Sequence, residues 1–312
     1  MAIGFFVSKR DLITFITLAF MWSLSFIFYR IGVPEFGSVA FASIRLELAG
    51  ITMLLFVLLN PKNRQGILAN WKLLTIIGLC STAIPFVLFG YAAKSVNAGV
   101  LAVLNASVPM MSGVMASLFF NDKLSRKQIL GLVIGVIGVF ILMSENFLAM
   151  MHSSGGDHSS LQSQLWPMGF ALFACIGYAT GANLTRNYLE HISPIAITAG
   201  TLITASIVML PVAIYNFPYH HSISAKAWGS VICIGILSTA IALIFMNQLI
   251  KSIGPVRATS ITLVIPIFAI IFGYILLGES LDIFAIVGSV VILFGTYLSL
   301  NLSVKKLAET QV

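Results

Sequence analysis

The stretch AGVLAVLNASVPMMSGVMASLFFNDKL, residues 98–124, is an apolar run of helix length with Asn105 and Pro109 inside it and an abrupt polar end. The chain contains it twice. Adding 157 to the numbering reaches PVRATSITLVIPIFAIIFGYILLGESL, residues 255–281, where Thr262 stands for Asn105, Pro266 for Pro109, Glu279 for Asp122 and Leu281 for Leu124. The match extends outward: residues 76–143 align with 233–300 without a gap and share 14 of 68 positions. Two apolar stretches reach such a score easily, so the weight falls on which residues coincide. Ser81-Thr82-Ala83-Ile84 returns as Ser238-Thr239-Ala240-Ile241, Lys94-Ser95 as Lys251-Ser252, and Gly131 and Gly138 as Gly288 and Gly295. Helix starts agree too: Ser125 with Gln128 has the spacing of a capping box, and Asp282 stands where it can cap the corresponding helix.

Composition sets the class. At 312 residues, 59% hydrophobic and 9% charged, the chain is no water-soluble globule, in which about a quarter of residues carry charge. Ten segments have the roughly 17 to 25 residues needed to cross a bilayer core: 12–31, 38–59, 73–92, 98–120, 127–144, 165–188, 194–215, 228–249, 257–277 and 283–302. Runs of this length are not β-barrel strands. The expected fold is all-α and integral to the membrane, with ten transmembrane helices in two repeats, 1–149 and 165–312, and an outer linker at 150–164. Five helices per repeat is an odd number, so the second copy enters the membrane from the opposite side as an inverted repeat.

The net charge of +7 matters through its placement rather than its size. With the N-terminus inside, inner segments hold 13 of the 17 basic residues, among them Lys9, Arg10, Lys62, Arg64, Lys123, Arg126, Lys127, Arg186 and Arg257, while outer ends hold Arg30, Lys94 and Lys226. Both termini are expected in the cytoplasm and the protein in the bacterial inner (plasma) membrane. The first apolar run follows Lys9 and Arg10 as a signal peptide would. It is too long and lacks a small-residue cleavage site, so it reads as a retained span. Cys80, Cys175 and Cys233 all fall in spans and read as packing residues rather than a disulfide frame or a zinc site.

Several residues stand out chemically. Trp22, Phe26 and Tyr29 share one face of the first helix, as lipid-facing or interfacial packing or as a cavity wall. In the sixth helix an offset of 156 sets Tyr178 against Trp22 and Arg186 against Arg30. Arg45 and Glu47 are charges within the second span, roughly 10 Å and 13 Å from its start, where a lone charge costs several kcal/mol. Two residues apart, they point about 200° away from each other and do not pair on one face. Either Arg45 snorkels outward and Glu47 bonds a neighbouring helix, or one of them contacts substrate or carries a proton. Pro109 and Pro266 each remove an N–H and disturb the carbonyl four residues earlier, that of Asn105 or Thr262. That is tolerable only where protein or a water-filled cavity supplies partners, and interrupted helices of this kind mark the binding sites of repeat-built transporters. The glycines of the fifth and tenth helices read as close-packing scaffold, within the bundle or between copies in a dimer.

Other patterns are weak. His152 and Asp157 have an acyltransferase-like spacing inside a Ser/Gly-rich linker, and His220 with His221 lacks the further ligands a metal needs. No phosphate-binding G-x-x-x-x-G-K-[S/T] occurs, so ATP is not the direct energy source. No cofactor and no nucleic-acid partner is expected.

Residues 81–142 and 238–298 resemble two copies of the EamA domain of the drug/metabolite transporter superfamily. The resemblance rests on polar turns (Lys94-Ser95-Val96, Lys251-Ser252-Ile253), a proline within each following helix, acidic-leucine turns (Asp122-Lys123-Leu124, Glu279-Ser280-Leu281) and glycine-bearing final helices. Trp22 and Arg45 also suit the family, whereas Glu47 and the Asn121-Asp122 pair depart from it. The resemblance implies helices one to four and six to nine around a central cavity, with five and ten behind. It also implies transport of amino acids, other small metabolites or toxic amphiphiles, often outward and proton-coupled. The expectation is an alternating-access secondary transporter and not an enzyme, working as a monomer or homodimer in the lipid bilayer on a small-molecule substrate. Arg45, Glu47, Trp22, Tyr178, Asn105 and Thr262 would bind substrate, and Pro109 and Pro266 would shape the cavity. Import or exchange of a metabolite or nucleotide on the same fold is one alternative, and a membrane-embedded lipid-modifying enzyme is another.

Overall fold

The computed structural model describes residues 8–59, 63–152, 158–220, 222–253 and 258–310. Among them there is no β-strand. Among the described residues ten long helical stretches follow one another: α1 (Lys9–Phe36), α2 (Ser38–Leu59), α3 (Trp71–Ala92), α4 (Ala98–Phe119), α5 (Arg126–His152), α6 (His158–Tyr188), α7 (Pro194–Asn216), α8 (Ala225–Gly235, Ile236–Ile241 and Ala242–Ile253), α9 (Ser260–Leu277) and α10 (Ile283–Thr310). A short helix, Arg64–Ala69, precedes α3. Eight of the ten, all but α5 and α10, are long and apolar enough along their described residues to cross a membrane. Their outer faces expose Ile13, Leu55, Phe119, Phe173, Ile207 and Ile275, a surface that suits hydrocarbon and not water.

Local chemistry sets the ends. Ser8 accepts the Asp11 N–H as the α1 cap, and Ser125 and Gln128 form the expected capping box at α5, with Gln128 Oε1 on Ser125 N and Ser125 Oγ on Gln128 N. Asp282 Oδ1 accepts the Ala285 N–H at the start of α10. A single residue, Gly37, links α1 to α2 with φ +77° and ψ 159°, a conformation that only glycine adopts without strain.

The duplication is visible in the backbone. Both Ser-Thr-Ala-Ile motifs lie on π-helical turns, Leu79–Ala83 in α3 and Ile236–Ile241 in α8. Both proline-containing helices break just before the proline: α4 into Ala98–Asn105 and Val108–Phe119, and α9 into a 3-10 turn, Ser260–Leu263, and Ile265–Leu277. Both end in a left-handed residue, Asn121 (φ 56°) and Gly278 (φ 67°), followed by an acidic residue whose N–H reaches back to Ala116 O or Gly273 O. The starts of the two π-turns, the helix starts Val108 and Ile265, the left-handed residues and the acidic residues after them are each 157 apart.

Packing runs between the halves. α2 lies along α7, α5 along α10, α1 against α8 and α9, and α6 against α3 and α4. The closest approaches are at small residues. A Cβ on Gly78 would stand 2.4 Å from Thr201 O, and its counterpart on Gly235 would stand 3.0 Å from Arg45 O. Gly131 and Gly138 meet the backbone of Gly295 and Gly288 at 2.7 and 3.0 Å by the same measure, so the glycine pattern joins α5 to α10 within one chain.

The structure corrects one expectation and decides one alternative. The prolines do not sit under-bonded in helix interiors: each occupies the first turn of a new helix, where a missing N–H costs nothing. Of the alternatives for the aromatic face of α1, lipid-facing packing is excluded for Phe26 and Tyr29, both buried in the core. α5 continues to His152 and α6 begins at His158, on either side of residues 153–157 of the expected linker. Asp157, His221, Lys62, Pro255 and Arg257 lie outside the described residues.

Candidate functional site

Arg45 is buried with 6% of its surface exposed, and it does not snorkel. Its Nε donates to Thr239 Oγ1 (2.9 Å) and its Nη1 to Tyr29 Oη (2.8 Å), while its guanidinium carbon lies 3.5 Å from the centre of the Phe86 ring. Four helices build this setting: α2 supplies the charge, α1 the phenol, α3 the ring and α8 the hydroxyl. Each partner is itself anchored, because Tyr29 Oη donates to Phe86 O (2.9 Å) and Thr239 Oγ1 donates to Ile234 O (2.7 Å) on the π-turn. The π-turn explains why the Ser-Thr motif matters here. Its widened register releases Thr239 from the usual i−4 bond and aims it at Arg45. No carboxylate among the described residues lies within ion-pair distance of Arg45. A guanidinium has five N–H donors and these contacts use two.

Glu47 stands apart, as the helical geometry required. It is half-buried, and its Oε1 is buried without a hydrogen-bond partner, as is Ser43 Oγ one turn earlier on the same face. The face holding Ser43, Glu47 and Gly50 meets α7 at Ser206. Tyr178 is connected to Arg45 through α3: its ring stacks on Phe89 (6.0 Å), one turn from Phe86, and Phe89 in turn meets Phe26 (5.9 Å). Trp22 lies half-buried one turn before Phe26, next to Met21, whose carbonyl accepts from Ser238 Oγ (2.6 Å).

Asn105 and Thr262 are half-buried at the breaks of α4 and α9. Two carbonyls beside the α4 break take donors from other helices. Thr296 Oγ1 of α10 donates to Ala106 O (3.0 Å), and Cys175 Sγ of α6 donates to Leu104 O (3.4 Å). Thr262 Oγ1 closes the α9 turn on Thr259 O (3.0 Å). Pro109 is half-buried and Pro266 buried. Residue by residue, the structure links Arg45 to Tyr178 through Phe86 and Phe89 of α3, while Glu47 lies on another face of α2 and Asn105 and Thr262 lie at the breaks of α4 and α9.

Tyr29, Phe86 and Thr239 complete the arginine site but were not singled out as site residues. The motif repeat marked Thr239, yet nothing in the sequence joined it to α2. The second omission is a set of ion pairs. Arg30 Nε bonds Glu279 Oε1 at 2.7 Å, and Arg186 contacts Asp122 directly. A cavity of about 390 Å³, lined by Ser8, Asp11, Thr14, Gln248 and Ser252, lies at the start of α1. Eighteen residues of helix, about 27 Å, separate Asp11 from Tyr29, so this cavity is not the arginine site. Among the described residues no group of His, Cys, Asp and Glu could hold a metal ion.

Known proteins share this organisation. The pattern of the EamA-like transporter family matches residues 10–144 and again 165–301. An uncharacterized transporter of Archaeoglobus fulgidus is 20% identical over 93% of this chain and 98% of its own length. A probable amino-acid metabolite efflux pump of Salmonella typhimurium is 20% identical over 94% of this chain and 95% of its own length. A solved crystal structure superposes with a TM-score of 0.61 over 93% of this chain and 97% of its own, at 10% identity, and shares the fold. Paired helix breaks, paired π-turns and a family match in each half point to one conclusion: this multi-pass membrane protein belongs to the EamA-like transporter family.

Proposed function

We propose that the protein is a secondary transporter working by alternating access, that it exports amino acids or related amphipathic metabolites, and that it recognises the substrate carboxylate at Arg45. The observation that carries this reading is a buried guanidinium held by neutral groups alone. Bringing such a charge into the interior costs several kcal/mol, offset here by two hydrogen bonds and a ring face worth about 2 kcal/mol when desolvated. Its remaining donors would suit a planar anion bound in bidentate fashion. The named efflux relative supports the same substrate class.

The proposed architecture is ten spans in two oppositely oriented halves, in the bacterial inner membrane with both termini cytoplasmic. In support, Glu279, just past the end of α9, accepts from Ala98 N (2.8 Å) at the beginning of α4, its counterpart in the repeat. Trp22 and Tyr178 would line the path, Asn105 and Thr262 would contact substrate at the helix breaks, Pro109 and Pro266 would set those breaks, and Glu47 would hold a coupling proton or a substrate amine. Flux of labelled amino acids into proteoliposomes, with and without a pH gradient, tests the reading. Absence of flux for every amino acid offered would reject the substrate class.

A further inference from the structure

We propose that Arg30–Glu279 and Arg186–Asp122 are two copies of one latch at opposite ends of the transport path, both formed here, and that the buried Arg30 pair is the one that holds its end shut in this state. The proposal rests on the alternating-access reading and adds the device that holds each state.

The two pairs occupy matching places. Arg30 and Arg186 lie near the ends of α1 and α6, the first helices of the two halves, and Glu279 and Asp122 follow the left-handed residues after α9 and α4. Each pair therefore ties the first helix of one half to the turn after the fourth helix of the other. Relative movement of the halves would part both. They lie at opposite ends of α4, because Glu279 binds its first residue, Ala98, while Asp122 follows its last turn. Its 22 residues put the ends about 33 Å apart.

Their surroundings differ. The Glu279 side chain is 9% exposed and that of Arg30 27%, against 51% for Asp122 and 57% for Arg186. Glu279 spends its second oxygen on the Ala98 N–H, Arg30 donates also to Ala93 O (2.7 Å), and Asn97 Nδ2 reaches Ser280 O (3.1 Å). The latched end thus joins α1, the α3–α4 turn and the end of α9 in one network. An exposed pair is screened by salt and holds weakly, whereas a carboxylate with 9% exposure and two donors is costly to strand.

The test reads accessibility and needs no substrate. In a protein with Cys80, Cys175 and Cys233 replaced by Ala, a single reporter, Asn105→Cys, is labelled with a membrane-impermeant maleimide in right-side-out and inverted vesicles. Glu279→Gln, and independently Arg30→Gln, should speed labelling from the Arg30 side at least tenfold, equivalent to about 1.4 kcal/mol. Asp122→Asn should change labelling from the other side by less than about threefold. Without any latch mutation, raising salt from about 0.05 to about 0.5 M should leave labelling from the Arg30 side within about threefold, because a buried pair is screened little. Equal responses at the two ends, or none, would overturn the latches. Latch-dependent labelling without amino-acid flux would keep the latches and reject the substrate class, whereas flux without latch-dependent labelling would do the reverse.

Discussion

Replacing Arg45 with Met separates a binding role from a structural one. Two charge-assisted hydrogen bonds from the guanidinium to a carboxylate are worth about 1.5 to 3 kcal/mol each, so their loss removes about 3 to 6 kcal/mol, or two to four orders of magnitude in affinity. Stability should respond far less. The variant loses the bonds to Tyr29 and Thr239 and the contact with Phe86, but it no longer buries a charge, and apolar replacements of buried ionic groups are often neutral. Neither partner is stranded, since Tyr29 still donates to Phe86 O and Thr239 to Ile234 O. The expected change in stability is therefore within about 2 kcal/mol. Proteoliposome flux of amino acids and of their decarboxylated amines gives the contrast, because only the carboxylate-bearing compounds should lose transport. If acids and amines lose flux equally, or if Arg45→Met unfolds the protein in detergent, the guanidinium is a structural strut and the recognition argument fails.

Three further outcomes follow from the geometry. Glu47→Gln should leave the fold intact and abolish acceleration by a pH gradient; unchanged acceleration would free Glu47 of any coupling role. Gly288→Ala puts a Cβ 2.6 Å from Leu142 N and 2.8 Å from Gly138 O, backbone atoms that cannot step aside, so thermal unfolding should show a loss of about 1 to 3 kcal/mol; Gly169→Ala, with no atom within 4 Å, should show none. Thr296→Val keeps the shape but strips the donor from Ala106 O at the α4 break; a drop of about 1 to 3 kcal/mol, restored by Thr296→Ser, is expected in the same measurement.

Much of the fold was legible because the repeat forced independent features into register. Caps, prolines, glycines and the acidic turns recur at a single offset, and the structure uses them as caps, helix breaks, close crossings and left-handed turns. The prolines show the limit of that reading. Their position was plain in the sequence, but whether a proline kinks a helix or begins a new one depends on what satisfies the carbonyls before it. Here Thr296 and Cys175, from helices distant in sequence, supply the donors. Tyr29 shows the same limit, since a stripe of aromatics on one helix face does not reveal whether that face meets lipid or a buried cation.

The sequence by itself determined the membrane class, the twofold repetition, the presence of a charge within the second span at Arg45 and its separation from Glu47, because composition, spacing and helical periodicity are local properties. Only the tertiary structure decided the pairings. Arg30 aligned with Arg186, and Glu279 with Asp122, yet each arginine takes its carboxylate from the opposite half. An internal repeat records which residues are equivalent, whereas contact across a pseudo-twofold arrangement joins residues that are not. For the stretch at 98–124 the same reason applies: its repetition was written in the chain, but that its first residue is capped from the far end of its own counterpart emerged only when the two halves were packed together.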